Sequence, residues 1–267
     1  ELGKNIMPEF SIAIPTHDRG ENGPKWLKEL FESLKVQTFQ DFDIVVVDES
    51  EDATIFDTCK EYSDDFEFTY INCHHLKDDG ITAKWNVGID ECTGHIIKFM
   101  GSDDVFVNSG ALQIINDYYR DNNSKWAFSG FCEMTNDGSK FFNPKDPVWS
   151  DYTLEGRNFL SAPSNLSFRK DCKEHFDTNI KHCLDTEFYH RMRWKYGMPD
   201  FISGTLIANR ENKNRVGSSN CDMIFEHPEG GWMVNSKELE YIKEKHKEFY
   251  NNGRKYPDEI KLKKIEV

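Results

Sequence analysis

Strands and helices alternate three times over the first hundred residues, and this alternation limits the chain to a layered α/β fold. The short runs that end in turn or polar residues are typical of strands: Phe10–Pro15, Phe42–Val47 and Glu67–Asn72. Between them, apolar residues recur three and four positions apart, as in Leu27, Leu30 and Leu34, which predicts helices with one buried face. Parallel βαβ units produce this order, so we expect a mainly parallel sheet flanked by helices.

A fourth apolar run, Ile96–Met100, is followed closely by two adjacent carboxylates, Asp103 and Asp104. Ligands of open parallel sheets bind outside the carboxyl ends of the strands. Two like charges about 4 Å apart cost roughly 4 kcal/mol at an effective dielectric of 20, and a bound magnesium or manganese ion removes that cost. Alternatively, both residues are turn or capping residues, where Asp is common. Because two other strands also end in polar or acidic residues, we favour a ligand site at this edge.

The composition excludes several classes of protein. Charged residues make up 30% and hydrophobic residues 37% of 267 residues, which fits a folded domain with or without an appendage. No apolar run approaches the roughly 20 residues that span a bilayer, and the start shows no secretory signal. Seven scattered cysteines without a C-x-x-C pair argue against zinc and disulfides and for a cytoplasmic location. The net charge of −14 argues against a general binder of nucleic-acid backbones.

Five short motifs occur in an order that resembles the inverting family 2 glycosyltransferases with the GT-A fold. They are Ile14–Arg19, Val47–Ser50, Gly80–Ile89, Met100–Asp104 and Leu184–Phe188. The resemblance implies a GT-A, Rossmann-like mixed sheet, mainly parallel and flanked by helices, with a C-terminal acceptor-side region and a terminal helix. It also implies metal-dependent transfer of a sugar from a nucleotide diphosphate sugar, expected to be a UDP-sugar, to an acceptor hydroxyl.

On the donor side, the resemblance assigns binding roles to residues at the ends of the first strands and at one helix start. The nucleotide base and ribose would be surrounded by Pro15, Thr16, His17, Asp18 and Asp48. Lys84 would meet the diphosphate or the base, since it lies at a helix start among small residues. The alternatives are a turn residue for Asp48 and an exposed helix charge for Lys84.

The resemblance also implies the chemical roles of three acids. Asp104 would ligate the Mn²⁺ or Mg²⁺ that bridges the diphosphate, and Asp103 would hold the ribose, the sugar or a water on the metal. Asp185 would be the general base, because an aspartate is ionised at pH 7 and can accept a hydroxyl proton. The alternative for Asp185 is the N-cap of the helix that follows.

Two other functions remain open at this point. A nucleotidyltransferase on a similar sheet would carry a glycine-rich phosphate loop after the first strand, where Thr16–Gly20 offers a single glycine. A non-catalytic homologue that binds nucleotide sugars is favoured by Gly101, because the family usually has an acid there. The acceptor is expected to be a saccharide or glycoconjugate, with a hydroxylated DNA base as an alternative, and the oligomeric state is open.

The chain divides into four expected parts. Residues 1–8 are expected to contain a short non-native stretch followed by the native start at Met7. Residues 9–107 form the nucleotide-sugar-binding half. Residues 108–208 form the acceptor-binding and catalytic-base half of the same domain, and residues 209–267 form a mobile loop and a helical extension.

Smaller segments carry predictions of their own. The stretch 209–220, with Arg210, Lys213 and Arg215, is predicted to be a loop that either closes over the diphosphate or is solvated. A second loop is expected at 141–151. Trp149 and Trp232 are candidates for stacking on an acceptor sugar.

Overall fold

The computed structural model describes residues 7–18, 22–155, 157–211, 225–226, 232–233 and 236–263. The first half contains β1 (Phe10–Thr16), α1 (Asn22–Lys35), β2 (Phe42–Asp48), α2 (Thr54–Glu61), β3 (Phe68–Asn72), α3 (Gly80–Glu91), β4 (Ile96–Phe99), β5 (Val105–Phe106) and α4 (Ala111–Asp121). The second half contains β6 (Trp126–Met134), β7 (Phe141–Lys145), β8 (Leu166–Arg169), α5 (Leu184–Tyr196), β9 (Asp200–Arg210), β10 (Phe225–Glu226), β11 (Trp232–Met233), α6 (Ser236–Lys245), α7 (Lys247–Asn251) and α8 (Pro257–Lys263). The predicted alternation of strands and helices up to β4 is confirmed.

One sheet of nine strands organises the described residues. Its order is β3-β2-β1-β4-β8-β6-β9-β5, and β7 pairs with β6 beside this path. The strands β3, β2, β1 and β4 are parallel to one another, so their carboxyl ends meet at one edge. β8 lies antiparallel to β4 and to β6, which makes the sheet mixed. The expected α/β architecture is therefore confirmed.

Alternating side chains divide the core between the two faces of the sheet. Ile12 and Ile14 pack on one face with α1, α2 and α4, whereas Ala13 packs on the other face with α3 and α5. The same alternation in β2 places Val45 and Val47 on the face of α3 and α5. Burial on both faces explains why these strands are almost entirely apolar in sequence. Each fully buried aliphatic or aromatic side chain contributes about 1.5–3 kcal/mol.

The C-terminal helices are bound to α5 by polar and aromatic contacts. Glu187 of α5 is fully buried and forms ion pairs with Arg191, Lys245 and His246, at 2.8 to 2.9 Å. These partners hold the pKa of the Glu187 carboxyl well below its usual range despite burial. Glu238 of α6 accepts hydrogen bonds from the backbone N–H groups of residues 181, 182 and 183, immediately before α5. The C-terminal helices therefore hold the beginning of α5.

Several predicted boundaries are wrong. The segment 141–151 was expected to be a loop, but its first five residues form β7, an exposed edge strand in which Pro144 is tolerated because no further strand pairs there. The loop predicted from Asn209 begins later, since Asn209 and Arg210 end β9 and are buried. Lys213 and Arg215 lie outside the described residues. No helix among the described residues is long and apolar enough to cross a membrane.

Candidate functional site

The ends of β1, β2 and β3 meet side by side at the carboxyl edge of the sheet. Thr16 lies opposite Asp48 in the register of β1 and β2, and Asp48 lies opposite Asn72 in β3. The loops that follow are also joined: the Asp18 N–H donates to Ser50 Oγ at 2.9 Å, and the Glu49 N–H donates to the Thr16 carbonyl at 3.2 Å. The structure thus brings most of the predicted donor-side residues together at the edge formed by these strand ends.

Asp48 is the buried anchor of this edge. It has no exposed surface, and its Oδ1 accepts hydrogen bonds from Ser50 N at 2.9 Å and Ser50 Oγ at 2.7 Å. Its Oδ2 accepts from the Tyr70 hydroxyl at 2.6 Å. The prediction that Asp48 accepts hydrogen bonds from the nucleotide stays a prediction. In this conformation its carboxylate accepts from Ser50 and Tyr70, and it fixes the loop that carries Glu49 and Ser50.

The other predicted donor-side residues differ in exposure. Pro15 is part of β1 and is buried, whereas the side chains of His17 and Asp18 are 35% and 48% exposed and reach the surface. Thr16 is 2% exposed, and its Oγ1 has no hydrogen-bond partner among the described residues. A buried hydroxyl of this kind is expected to find a partner in a bound water or ligand.

Lys84 is buried rather than exposed on its helix. It is 3% exposed and its amino group forms an ion pair with Glu49, whose main-chain oxygen is 3.0 Å from His74 Nδ1. The alternative of an exposed helix charge is therefore wrong. The ion pair joins α3 to the loop after β2, so Lys84 takes part in the same edge as Asp48 and Thr16.

The two adjacent acids after β4 have different environments. Asp104 is 4% exposed; its Oδ1 accepts from the Arg210 N–H at 2.9 Å, and its Oδ2 accepts from Asn209 Nδ2 at 3.0 Å and from Ser164 Oγ. Asp103 is partly exposed. The prediction that Asp104 ligates the cation stays a prediction: its two oxygens accept three protein hydrogen bonds, and Asp103 is the more exposed of the two acids.

Gly101 and Lys98 complete the surroundings of Asp104. A Cβ at Gly101 would lie 3.1 Å from Asp103 Oδ1 and 3.2 Å from Asp104 Oδ2, so this position is close to both carboxylates. Lys98 is fully buried in β4, and its amino group donates to the Ser164 carbonyl. Burial lowers the pKa of Lys98 to about 7, and the nearby Asp104 charge opposes this shift.

Asp185 is the second residue of α5 and is partly exposed. Its Oδ1 accepts from the Thr186 N–H and its Oδ2 from Asn158 Nδ2, both at 2.8 Å. Burial raises the pKa of the carboxyl to about 6, and the two hydrogen bonds counteract the rise. The alternative that Asp185 is the N-cap is wrong, because Cys183 holds that position.

A continuous set of hydrogen bonds connects Asp185 with Asp104. Asn158 Nδ2 donates both to Asp185 and, at 3.0 Å, to the Ser161 carbonyl. Ser161 Oγ bonds Asn209 Oδ1 at 3.1 Å, and Asn209 Nδ2 donates to Asp104. The candidate base and the acids after β4 therefore belong to one polar network.

The sequence predictions did not include the residues that build this network. Asn209 was assigned to a loop, although it follows the apolar run 206–208 just as the acids follow β4, and that signal was available. Asn158 lies in an irregular segment without periodicity, and nothing in the sequence marks it. Ser164 was predicted to begin a strand over 164–168, but it lies in the short 3-10 helix Pro163–Asn165 that precedes β8. Arg210 is also buried; its guanidinium donates to the main-chain oxygens of Asp103 and Asn136 and pairs with Glu29.

The two tryptophans predicted to stack on a sugar differ in outcome. Trp149 packs between Trp126 and Tyr256, with ring centroids 6.3 and 5.9 Å away, and the Arg193 guanidinium lies 4.9 Å from its ring. Its role is to join the C-terminal helices to the core, so the stacking prediction is wrong for Trp149. The side chain of Trp232 lies outside the described part of the chain.

The polar side chains at this edge fit a divalent cation that is bound mainly by phosphate oxygens and water rather than by protein groups. No cluster of three or more His, Cys, Asp or Glu residues in the described ranges could hold a metal ion by itself. Magnesium is commonly bound by one or two carboxylates together with phosphate oxygens and water. Asp103 supplies such a carboxylate, and the neighbouring Ser102 Oγ is buried without a hydrogen-bond partner among the described residues.

Comparison with known proteins identifies the family. Residues 11–176, more than half of the chain, match the family described as glycosyl transferase family 2. The chain belongs to glycosyl transferase family 2. The match covers the edge formed by β1 to β4 and Asp104, whereas Asp185 and Asn209 lie beyond it.

The relatives of this family 2 member are distant. An uncharacterised glycosyltransferase of Rickettsia felis is 27% identical over 139 residues, which are 51% of this chain and 22% of that protein. The uncharacterised glycosyltransferase EpsJ of Bacillus subtilis is 22% identical over 207 residues, 77% of this chain and 53% of that protein. The chain thus spans between about a fifth and a half of the length of these relatives.

Solved structures of GT-A glycosyltransferases share the fold. TarS of S. aureus in complex with UDP-GlcNAc superimposes with a TM-score of 0.60 at 19% identity, over 79% of this chain and 61% of that chain. The mannosyltransferase PcManGT of Pyrobaculum calidifontis in complex with GDP-Man and Mn²⁺ has a TM-score of 0.55 at 14% identity, over 80% of this chain and 59% of that chain. The expected GT-A fold is confirmed.

Proposed function

We propose that this family 2 protein transfers a sugar from a nucleotide diphosphate sugar to an acceptor hydroxyl with inversion at the anomeric carbon. The observation that carries the proposal is the polar network from Asp185 to Asp104, which places a candidate base and the acids after β4 at one site. This site adjoins the ends of β1, β2 and β3. A transferase needs a donor site and an acceptor-side base next to each other, and this arrangement supports such a pair.

The donor is proposed to be a UDP-sugar that lies across the ends of β1 to β4. Support comes from the complexes of TarS with UDP and UDP-GlcNAc, which share the fold. In this chain Pro15, Thr16, His17 and Asp18 form one side of the pocket, and Asp48 with Lys84 fixes the opposite side through Ser50 and Glu49. The buried hydroxyl of Thr16 is available to the nucleotide.

The cofactor is proposed to be Mn²⁺ or Mg²⁺, held by Asp103 and oriented by the neighbouring Asp104. A bound cation would neutralise the charge of the diphosphate as it leaves. The PcManGT complex with Mn²⁺ supports the use of a divalent ion on this fold. Asp104 keeps its own hydrogen bonds with β9 and Ser164 and fixes the turn that presents Asp103.

Asp185 is proposed to be the general base. Its carboxylate accepts the proton of the acceptor hydroxyl, whose oxygen forms the new bond to the anomeric carbon. The bond from that carbon to the diphosphate oxygen breaks, and the nucleoside diphosphate leaves with the bonding pair. A pKa of about 6 keeps Asp185 mostly ionised at pH 7 while making it a stronger base than an ordinary aspartate. The acceptor is proposed to be a saccharide or glycoconjugate.

Thermal-shift measurements with UDP-, GDP- and TDP-sugars, each with and without Mn²⁺, test donor and cofactor together. A ligand that binds only the folded state raises the apparent stability by mass action, about 2.7 kcal/mol at a hundred times its Kd. We expect the largest shift with a UDP-sugar plus Mn²⁺, and its loss in Asp103→Asn. The matched control is Asp64→Asn, in the exposed turn after α2, which should keep the full shift. A shift of equal size without Mn²⁺ would contradict the metal dependence, and no shift with any donor would contradict the function.

A further inference from the structure

We propose that Asn158 is a positioning residue: it orients the carboxylate of Asp185 and keeps it at a fixed position relative to the acids after β4. This inference rests on the proposed function, in which Asp185 is the base. Asn158 lies in the irregular segment before β8, outside every motif that the sequence indicated.

The orientation of the Asn158 amide is set by its backbone neighbours. Its Oδ1 accepts from the N–H groups of Leu160 at 2.9 Å and Ser161 at 3.1 Å. Because those two donors require an oxygen, the Nδ2 must point the other way, to the Ser161 carbonyl at 3.0 Å and to Asp185 at 2.8 Å. All four bonds are made, so the amide cannot turn without losing hydrogen bonds.

The segment from Asn158 to Ser161 is held in an unusual conformation. Ser161 has φ of +67°, in the left-handed region that non-glycine residues adopt infrequently. The hydroxyl of Tyr189, on the same helix as Asp185, donates to the Ser161 carbonyl at 3.3 Å. Ser161 Oγ reaches Asn209 Oδ1, which also accepts from Asn165 Nδ2 at 3.2 Å. Backbone strain that is fixed by surrounding bonds is characteristic of functional sites.

The groups that face Asp185 explain why the contact with Asn158 matters. They are the Asn158 amide, the Thr186 N–H, the backbone N–H of Asp185 itself and the phenol of Tyr189, whose own pKa is raised by burial and by the Asp185 charge. Among these, the Asn158 amide and the Thr186 N–H donate directly to the carboxylate and favour its ionised form. Removing the Asn158 donor therefore acts on the proton affinity of the base and on its orientation.

Asn158→Asp removes the N–H groups that Asn158 donates while it keeps the size of the side chain. The new carboxylate keeps an oxygen for the N–H groups of Leu160 and Ser161. It removes the N–H that donates to the Ser161 carbonyl and replaces the N–H that faced Asp185 by a second acid. Two carboxylates that share a site titrate as a pair, with one pKa strongly raised. We expect the pH below which kcat/KM falls, the acid limb of the profile, to rise by at least one unit. At low pH, kcat/KM of the variant is then about tenfold below that of the parent, and the difference shrinks as the pH rises. The matched control is Asn122→Asp at the exposed end of α4, which should leave the limb in place.

The exchanged pair Asn158→Asp with Asp185→Asn separates positioning from folding. In this double variant the amide at position 185 can donate to the carboxylate at position 158 and accept from the Thr186 N–H. The hydrogen bond between positions 158 and 185 is thereby restored with the charge on the other residue, whereas the bond to the Ser161 carbonyl stays lost. We expect the double variant to regain part of the Tm that Asn158→Asp loses, while transfer stays at the level of Asp185→Asn.

Carbon-13 NMR of the Asp185 carboxyl, assigned by its loss in Asp185→Asn, measures the pKa without a substrate. A raised pKa in Asn158→Asp supports the inference even if the parent transfers no sugar, a result that would contradict only the proposed function. An unchanged Asp185 pKa together with an unchanged acid limb overturns the inference. So does an exchanged pair that melts no higher than Asn158→Asp alone.

Discussion

The donor side and the acceptor side of this molecule are built in different ways. The donor side consists of parallel strands and the turns at their ends, and most of its contacts join neighbouring βαβ units. The acceptor side consists of the start of α5, held by Asn158 from an irregular segment and by Glu238 from α6. Regular structure thus fixes the proposed donor pocket, whereas side chains far apart in the sequence fix the proposed base. The predictions below test that difference.

The largest expected effect separates binding from chemistry. Asp185→Asn removes the proposed base and should lower kcat by about 10²–10⁴-fold, while the donor Kd measured by titration calorimetry stays within twofold of the parent. The donor contacts lie at the strand ends and do not include Asp185. Transfer at the parental rate would show that the acceptor side lacks the proposed base.

The two adjacent acids should respond in opposite ways to the same substitution. Asp104→Leu leaves the Arg210 N–H, Asn209 and Ser164 without an acceptor, and each unsatisfied buried group costs about 1–3 kcal/mol. For the three groups together we therefore expect a loss of at least about 3 kcal/mol in the free energy of unfolding by urea. Asp103→Leu should change stability by less than about 1 kcal/mol and remove the Mn²⁺-dependent donor binding. Equal losses of stability would contradict the distinction between them.

The loss of transfer toward low pH should report Asp185 on the acceptor side. Because Asp185 acts in its ionised form, kcat/KM should fall tenfold per unit as the pH drops below about 6 and level off above it. The same carboxyl contributes stability only in its protonated form, since burial raises its pKa above that of the unfolded chain. The Tm contribution of Asp185 should therefore decline as the pH rises through about 6, and Asp185→Asn should abolish that decline. A fall in kcat/KM that begins only near pH 4 would contradict the raised pKa of Asp185.

The smallest expected effect concerns the C-terminal helices. Glu238→Gln weakens the capping of residues 181–183 and should cost about 1 kcal/mol of stability. Because Asp185 lies two residues beyond this contact, kcat should fall several-fold while the donor Kd is unchanged. The exposed Glu240→Gln on the same helix is the matched control. A weaker donor affinity in Glu238→Gln would show that the two sides are not separable.

The strands and polar turns of the donor side could be predicted from the local sequence pattern, because each of these features spans only a few residues. Strand periodicity and the acids that follow β2 and β4 are visible without knowing the fold. The surroundings of individual acids were harder to predict, because the contacts of Asp104 with Asn209 and Arg210 bridge more than a hundred positions. Asn158 could not be predicted from the sequence, because its partner Asp185 lies 27 positions away and its segment shows no hydrophobic periodicity. Tertiary contacts, not propensity, decide these positions.

The pairing of β5 with β9 has a consequence for biosynthesis. β5 follows directly after Asp104, yet among the described strands it pairs with β9, whose residues leave the ribosome about a hundred positions later. Until Arg210 has emerged, the nascent chain lacks two of the donors that Asp104 requires, and β9 cannot bridge β6 and β5. The sheet therefore cannot close during translation of the donor half alone, and the N-terminal residues must wait for β9 before the cleft acquires its final shape.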